Sequence, residues 1–150
     1  MLTFRKIFNF YIQSSIHVGI AVFCLVQLSV QRWSSYSFLV LFGTIVGYNF
    51  LKYSEWFFTA KFFRIQYIRI LGVTLFSALG FLWFFLQQDT AVQFHMLFAF
   101  GLVVLYPFIR KIGWLKPFYV SFVVSYITLF IPLKSDVDVI VLFVQRFLLL

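Results

Sequence analysis

Two short segments of this 150-residue chain gather side chains that could bind an anion. Residues 47–53 read GYNFLKY and residues 106–111 read YPFIRK, with a further lysine at position 116. Amide, phenol and cationic groups can hold a lipid head group or a diphosphate through charge-assisted hydrogen bonds. The predicted binding residues are Asn49, Lys52, Tyr53, Tyr106, Arg110, Lys111 and Lys116.

A plainer interpretation stays open for both segments. Asn49 is a residue type that also caps or turns the end of a helix. Cations that follow a membrane span, such as Arg110 and Lys111, are expected from membrane topology even where no ligand binds. Anion binding and these structural roles are therefore alternative predictions.

Few other residues are suited to acid–base or metal chemistry. The chain has four acidic residues, and no two of them share the end that carries the cations. His17 and His95 fall in different apolar stretches without a third ligand at suitable spacing, which gives little support for zinc. We predict structural, hydrogen-bonded histidines and no metal or other cofactor held by this chain.

The composition excludes the usual classes of soluble protein. Apolar residues make up 63% of the chain, aromatic residues 24% and charged residues 11%. A soluble domain has about 45 to 50% apolar and about 25% charged residues. The chain cannot cover its apolar groups with polar surface, so a soluble enzyme, a disordered tail and a disulfide scaffold are excluded.

Five apolar stretches approach the roughly 20 residues that a membrane helix needs. They cover residues 14–30, 36–51, 68–86, 91–109 and 117–133. Apolar residues run continuously instead of alternating, which indicates helices rather than the strands of a barrel. A sixth segment, residues 137–150, is too short to cross comfortably, which favours a chain truncated relative to its ancestor. The predicted fold is an all-α polytopic helical membrane bundle in one domain, with five spans and an incomplete sixth.

The basic residues predict the orientation of this bundle. Nine of the twelve lie before the first stretch, between the second and third, or between the fourth and fifth. By the positive-inside rule these segments and the N-terminus are cytoplasmic. The net charge of +8 is then a topology signal and an attraction to anionic lipids, not a nucleic-acid surface. Residues 4–12 are predicted to lie at the membrane surface or to extend the first span.

Gly43 and Gly47 have the spacing that lets membrane helices approach closely. We predict that they pack helices together. The contact is expected within the chain or with a partner protein.

These segments resemble the UbiA superfamily of membrane prenyltransferases. The likeness lies in the predicted N-in topology, in the asparagine after the second span, and in residues 106–111 and 115–121 (LKPFYVS). It extends over the N-terminal half of such proteins. The resemblance implies an all-helical bundle in the cytoplasmic (inner) membrane that transfers a prenyl group from its diphosphate to an acceptor.

In the superfamily, two aspartate-rich motifs hold Mg²⁺ against the diphosphate. The first motif reads approximately NDxxDxxxD, and only Asn49 of this chain matches it, because Phe50, Tyr53 and Phe57 stand at the aspartate positions. The second motif would lie beyond position 150. Mg²⁺ is therefore implied for intact family members and not for this chain.

Together these observations favour a UbiA-like membrane protein that handles a prenyl diphosphate or another isoprenoid lipid but is inactive alone. The alternative is a small non-enzymatic membrane protein that assembles with a partner, through its glycines or its sixth segment. A transporter finds little support, because internal repeats are not evident and membrane-embedded acidic residues for ion coupling are lacking. That alternative would depend on the polar residues Gln13, His17, Gln27 and Arg146.

Overall fold

A computed structural model describes residues 2–31, 33–57, 65–109, 112–133 and 137–149. Helices account for nearly all of these residues, and no strand occurs among them. Continuous apolar sequence favours this outcome, since a helix satisfies its own backbone hydrogen bonds where water is absent. The predicted all-α class is confirmed.

Eight α-helices and one π-helical segment follow one another along the described chain. They are α1 (Leu2–Gln13), α2 (Ile16–Val30), α3 (Ser35–Phe57), α4 (Ile65–Leu86), α5 (Thr90–Ile109), α6 (Leu115–Ser125), the π-helical segment (Tyr126–Phe130), α7 (Ile131–Leu133) and α8 (Val137–Leu149). Helical backbone angles continue from α6 through the π-helical segment into α7.

Each of the five predicted stretches coincides with helix. Two helices, over residues Ile68–Leu86 and Thr90–Ile109, are long and apolar enough to cross a membrane. The pair α1 and α2 adds a third candidate if the two helices are counted as one bent span. The length and composition of the described helices therefore support a membrane protein with two or three candidate spans.

The first helix pair is sharply broken. Its two axes, over Phe4–Gln13 and Ile16–Val30, meet at 63°. Ser15 occupies the left-handed region at φ 60°, a conformation that a non-glycine residue adopts only at some cost. Residues 4–12 therefore form a separate helix rather than a straight extension of the first predicted span.

Helix α3 is the centre of the packing, and it contacts α2, α4 and α5. Its contact with α4 is reciprocal, because each helix offers a glycine to a phenyl ring of the other. A Cβ atom on Gly80 would lie 2.9 Å from the ring of Phe42, and one on Gly43 would lie 3.1 Å from the ring of Phe81. Each ring thus occupies space that only a glycine leaves empty.

The buried core extends from α2 and α3 to the fifth predicted stretch. Val26, Leu39 and Val40 are almost fully buried at its centre. Tyr36 is buried beside them and donates its hydroxyl hydrogen to the carbonyl oxygen of Ile127, 2.6 Å away. This bond joins α3 to the π-helical segment across 91 residues of sequence.

Helix α8 packs back along α6 through aromatic side chains. The ring centroids of Phe122 and Phe143 are 5.8 Å apart, and those of Phe118 and Phe147 are 6.4 Å apart. The earlier residue of α6 pairs with the later residue of α8, so the two helices are antiparallel. The 13 residues of α8 extend about 20 Å, which is shorter than the hydrocarbon core of about 30 Å.

We predict that Gly19→Ala lowers the free energy of unfolding by about 1–3 kcal/mol, the usual cost of overpacking. A Cβ atom there would lie 2.7 Å from Ile45 Cγ1 and 3.2 Å from the carbonyl oxygen of Leu41. Denaturant unfolding of the protein in detergent micelles measures the change. The matched control is Gly72→Ala, since a Cβ atom there would meet nothing within 4 Å. Equal stability of the two variants would contradict the close contact between α2 and α3.

Candidate functional site

At the break between α1 and α2, the carbonyl oxygens of Gln13 and Ser14 have no backbone donor among the described residues, and that of Ile12 keeps only a 3.3 Å bond from the Ser15 amide. The last carbonyls of any helix lack intrahelical donors, and in an apolar environment they require other ones. Here the donors come from the predicted binding segment on α3. Asn49, Lys52 and Tyr53 all direct polar atoms at carbonyl oxygens of Ile12, Gln13 and Ser14.

Asn49 forms the buried part of this arrangement, with only 1% of its surface exposed. Its Nδ2 atom donates to the carbonyl oxygen of Ser14 at 3.1 Å and to Thr74 Oγ1 at 3.0 Å. A carbonyl oxygen can only accept, so the nitrogen of the amide must face Ser14. One asparagine thus joins α3 to the broken helix and to α4.

Tyr53 and Lys52 form the outer part. The Tyr53 hydroxyl donates to the carbonyl oxygen of Gln13 at 2.7 Å. The Lys52 ammonium lies 3.4 Å from the carbonyl oxygens of both Ile12 and Gln13, and 5.2 Å from the centre of the Tyr53 ring. Because Lys52 is exposed and these contacts are long, its ammonium can turn toward a ligand without breaking a strong bond.

The donor set at this end of the bundle does not fit Mg²⁺. That ion requires several hard oxygen ligands in octahedral geometry. Asn49 Oδ1 is a buried oxygen without a partner among the described residues, but the neighbouring positions carry Phe50 and Tyr53, and the tyrosine hydroxyl is already a donor to Gln13. Hence no catalytic step through a metal follows from these residues.

The second predicted segment is described only in part. Tyr106 is half-buried with its ring centroid 6.3 Å from that of Tyr119, whose hydroxyl donates to the carbonyl oxygen of Leu102 at 2.5 Å. Lys116 is exposed on the first turn of α6. Arg110 and Lys111 lie outside the described residues.

The two predicted binding segments lie at the same end of the bundle. The Asn49 side chain, however, leaves α3 on the side away from α5, the helix that carries Tyr106. A Cβ atom on Gly47 would be 3.5 Å from Val103 Cγ1, so the segments that follow both residues are at a similar level. Asn49 is two residues after Gly47 and is rotated from it by about 200°, which directs it toward α1 and α4 rather than toward α5. The structure therefore brings Asn49, Lys52 and Tyr53 together, but it does not bring Tyr106 into that group.

The two predicted packing glycines both face neighbouring helices of this chain. Gly43 receives the Phe81 ring of α4, and Gly47 faces Val103 of α5. The structure thus places them in contacts within the chain.

A second polar cluster, which the sequence did not predict, surrounds the π-helical segment. Arg146 Nη1 donates to Ser29 Oγ at 2.8 Å and to Thr128 Oγ1 at 3.2 Å. Nearby, the His95 ring and the Tyr126 hydroxyl share a hydrogen bond of 2.7 Å between Nδ1 and the phenol oxygen. The available signal was Arg146 itself, a charged residue inside an apolar segment, which in membrane proteins marks a functional position. Its partners come from helices distant in sequence.

The histidines have the hydrogen-bonded surroundings expected of structural residues. His17 Nδ1 is 3.5 Å from the carbonyl oxygen of Tyr11, at the upper limit for such a bond. His95 is held by Tyr126. In the described part of the chain, no group of three or more His, Cys, Asp or Glu side chains is arranged to hold a metal ion.

Comparison of the chain with protein-family models, with curated proteins and with solved structures finds no match. The likeness to the UbiA superfamily therefore depends on the sequence segments alone.

We predict that Tyr53→Phe destabilises the docking of α1 on α3 by about 1 kcal/mol, the usual net contribution of a hydrogen bond. The change removes the hydroxyl that donates to Gln13. Hydrogen exchange at the amides of α1 should become faster. Tyr48→Phe is the matched control, because that side chain is 47% exposed on the same helix. If the amides of α1 exchange at the same rate in both variants, the Tyr53 hydroxyl does not hold the broken helix.

Proposed function

We propose that the chain is a UbiA-like helical unit of the cytoplasmic membrane that binds the anionic head of an isoprenoid lipid or prenyl diphosphate. In this proposal it crosses the membrane five times with its N-terminus in the cytoplasm, and it does not transfer prenyl groups alone. The observation that carries the proposal is the Lys52 ammonium, which is exposed beside a buried polar cluster at one end of the bundle.

The distribution of cations supports the proposed side of binding. Lys52 and Lys116 lie on segments at the end of the bundle where the sequence concentrates basic residues. In the sequence, Arg110 and Lys111 fall between the last residue of α5, Ile109, and the first of α6, Leu115. A diphosphate carries several negative oxygens, so a group of exposed cations attracts it and donates charge-assisted hydrogen bonds.

The proposed inability to transfer prenyl groups is based on the side chains at the motif positions. Ionising a prenyl diphosphate leaves negative charge on the leaving group, which metal ions or cations must stabilise. Phe50, Tyr53 and Phe57 offer no carboxylate where the superfamily motif has three. Binding can then persist without catalysis, because cations alone can hold the diphosphate.

The test of binding uses farnesyl diphosphate and the purified protein in zwitterionic detergent micelles. We expect Arg110→Ala and Lys111→Ala each to weaken binding by about three- to tenfold, up to about 1.4 kcal/mol. Lys134→Ala removes the same charge from the side predicted to be outside, and it should leave the affinity unchanged. An equal loss of affinity in all three variants would mean that the overall positive charge attracts the diphosphate, and it would contradict a specific site.

An assay with farnesyl diphosphate, aromatic acceptors and Mg²⁺ separates binding from catalysis. We expect no prenylated product from this chain alone. Robust metal-dependent transfer would overturn the proposed inactivity while leaving the binding site in place.

A second candidate function is assembly with another membrane protein through α5. A shallow, open apolar groove is lined there by Phe98, Gly101, Leu102, Val104 and Leu105. A Cβ atom on Gly101 would meet nothing within 4 Å, so the backbone of another helix can approach closely at this point. Gly43 and Gly47 are less suited to this role, because side chains of the chain itself lie against them.

For this candidate, Gly101→Leu should fill the groove and reduce crosslinking to a specific neighbour in native membranes by about half or more, as bulky residues block close helix contacts. Gly72→Leu makes the same change on α4, again at a position with open space. Crosslinking that falls equally in both variants, or a chain found only as a monomer, would count against the α5 groove as an interface.

A further inference from the structure

Arg146 of α8 is held by neutral oxygen atoms of two other elements, α2 and the π-helical segment. Its Nη1 atom is 2.8 Å from Ser29 Oγ on α2 and 3.2 Å from Thr128 Oγ1 in the π-helical segment. The carbonyl oxygen of Leu25 lies 3.4 Å from the same nitrogen. A cation in an apolar bundle is costly unless it is partnered, and these three acceptors offset only part of its charge because none of them is an anion.

The other edge of the guanidinium has no partner among the residues that the structure describes. Arginine has five N–H donors in a planar fork, and the edge formed by Nε and Nη2 is one that pairs bidentately with an oxyanion. All three hydrogen bonds of Arg146 use Nη1, and no bond from Nε or Nη2 occurs within the described part of the chain. The Arg146 side chain as a whole is half-buried.

Ser125 adds an unused hydroxyl next to this cluster. Its side chain is fully buried, and its Oγ atom has no hydrogen-bond partner among the described residues. Ser125 is one turn before Thr128, and Ser121 is one turn before Ser125, and all three are buried. This spacing places a polar stripe on one face of α6 and the π-helical segment, where Thr128 contacts Arg146.

The π-helical segment explains why these groups meet. Its wider turn alters the backbone hydrogen-bonding pattern, and π-helical turns in α-helices are frequent at functional sites. Here the carbonyl oxygen of Ile127 accepts from Tyr36, and the neighbouring Thr128 accepts from Arg146. One short segment thus receives polar side chains from α3 and α8.

We propose that Arg146 and Ser125 form a binding site for a phosphate oxyanion, either of a phospholipid head group or of free phosphate. The guanidinium edge formed by Nε and Nη2 would hold two phosphate oxygens, and the Ser125 hydroxyl would donate to one oxygen of the same phosphate. Each anionic oxygen accepts more than one hydrogen bond, so the Ser125 hydroxyl can share an oxygen that already pairs with the guanidinium edge. The site does not depend on the proposed isoprenoid function. Ser29 is separated from Ser15, at the broken helix, by about 20 Å along α2.

The test measures binding of dihexanoyl-phosphatidylglycerol to the purified full chain in neutral detergent, by native mass spectrometry and by the shift in thermal unfolding. Inorganic phosphate at matched ionic strength forms a second arm. Binding of phosphatidylglycerol alone assigns the site to a lipid, and equal binding of inorganic phosphate assigns it to free phosphate. Both results support the oxyanion site, and binding of neither overturns it.

Variants decide whether Arg146 and Ser125 form the site. Arg146→Lys keeps the charge but loses the bidentate edge, and it should weaken binding about tenfold or more, which corresponds to about 1.4 kcal/mol. Arg69→Gln is the control, since Arg69 is an exposed cation on α4. Unchanged binding in Arg146→Lys, or an equal loss in Arg69→Gln, would overturn the proposal.

Ser125→Ala keeps the test decisive if the arginine variant folds poorly. The Ser125 hydroxyl has no partner within the described chain, so its removal should not lower the unfolding temperature. If the hydroxyl donates to phosphate, affinity should fall about three- to tenfold while stability is kept. Ser37→Ala, at a buried serine of α3 whose hydroxyl pairs with Ser34, should not change the affinity. Equal affinity of Ser125→Ala and the unaltered chain would overturn the role of Ser125.

Discussion

The broken helix imposes a constraint that organises one end of the molecule. Where water is scarce, each free backbone carbonyl needs a donor, and the break after α1 presents the carbonyls of Gln13 and Ser14, beside that of Ile12, which keeps a 3.3 Å bond from the Ser15 amide. Asn49, Lys52 and Tyr53, which lie within about one turn of α3, supply those donors. Helix α3 must therefore lie against both halves of the break, which is consistent with its central place between α2, α4 and α5.

The π-helical segment satisfies the same requirement at another place in the bundle. Its irregular backbone offers the carbonyl oxygen of Ile127, and the buried hydroxyl of Tyr36 donates to it. Arg146 reaches the adjoining Thr128 from α8 and Ser29 from α2. In both places, an interruption of regular α-helix gathers polar side chains that are far apart in sequence. These clusters hold helices together, and each contains a cation: the exposed Lys52 ammonium in one, and in the other Arg146, whose Nε and Nη2 atoms have no partner among the described residues.

The candidate site was predictable in its residue types but not in its geometry. Asn49, Lys52 and Tyr53 are close in sequence and are together in the structure, because one helix carries all three. The plainer interpretation, in which Asn49 supports a helix end, describes its observed contacts well, although the helix end belongs to α1 and not to α3. Tyr106 lies on another side of α3, since helical rotation separates residues that share a level. The cluster at Arg146 escaped prediction because its partners are 117 and 18 residues away.

Composition and continuous apolar sequence were sufficient to predict an all-helical chain and the approximate positions of its helices. Those properties depend on local hydrogen bonding and on hydrophobic burial, which a run of residues specifies without reference to the rest of the fold. The 63° break at Ser15, the pairing of Gly80 with Phe42 and the partners of Arg146 required the folded chain. They arise from contacts between helices, where the space left by one side chain and the donors offered by another exist only after the helices pack.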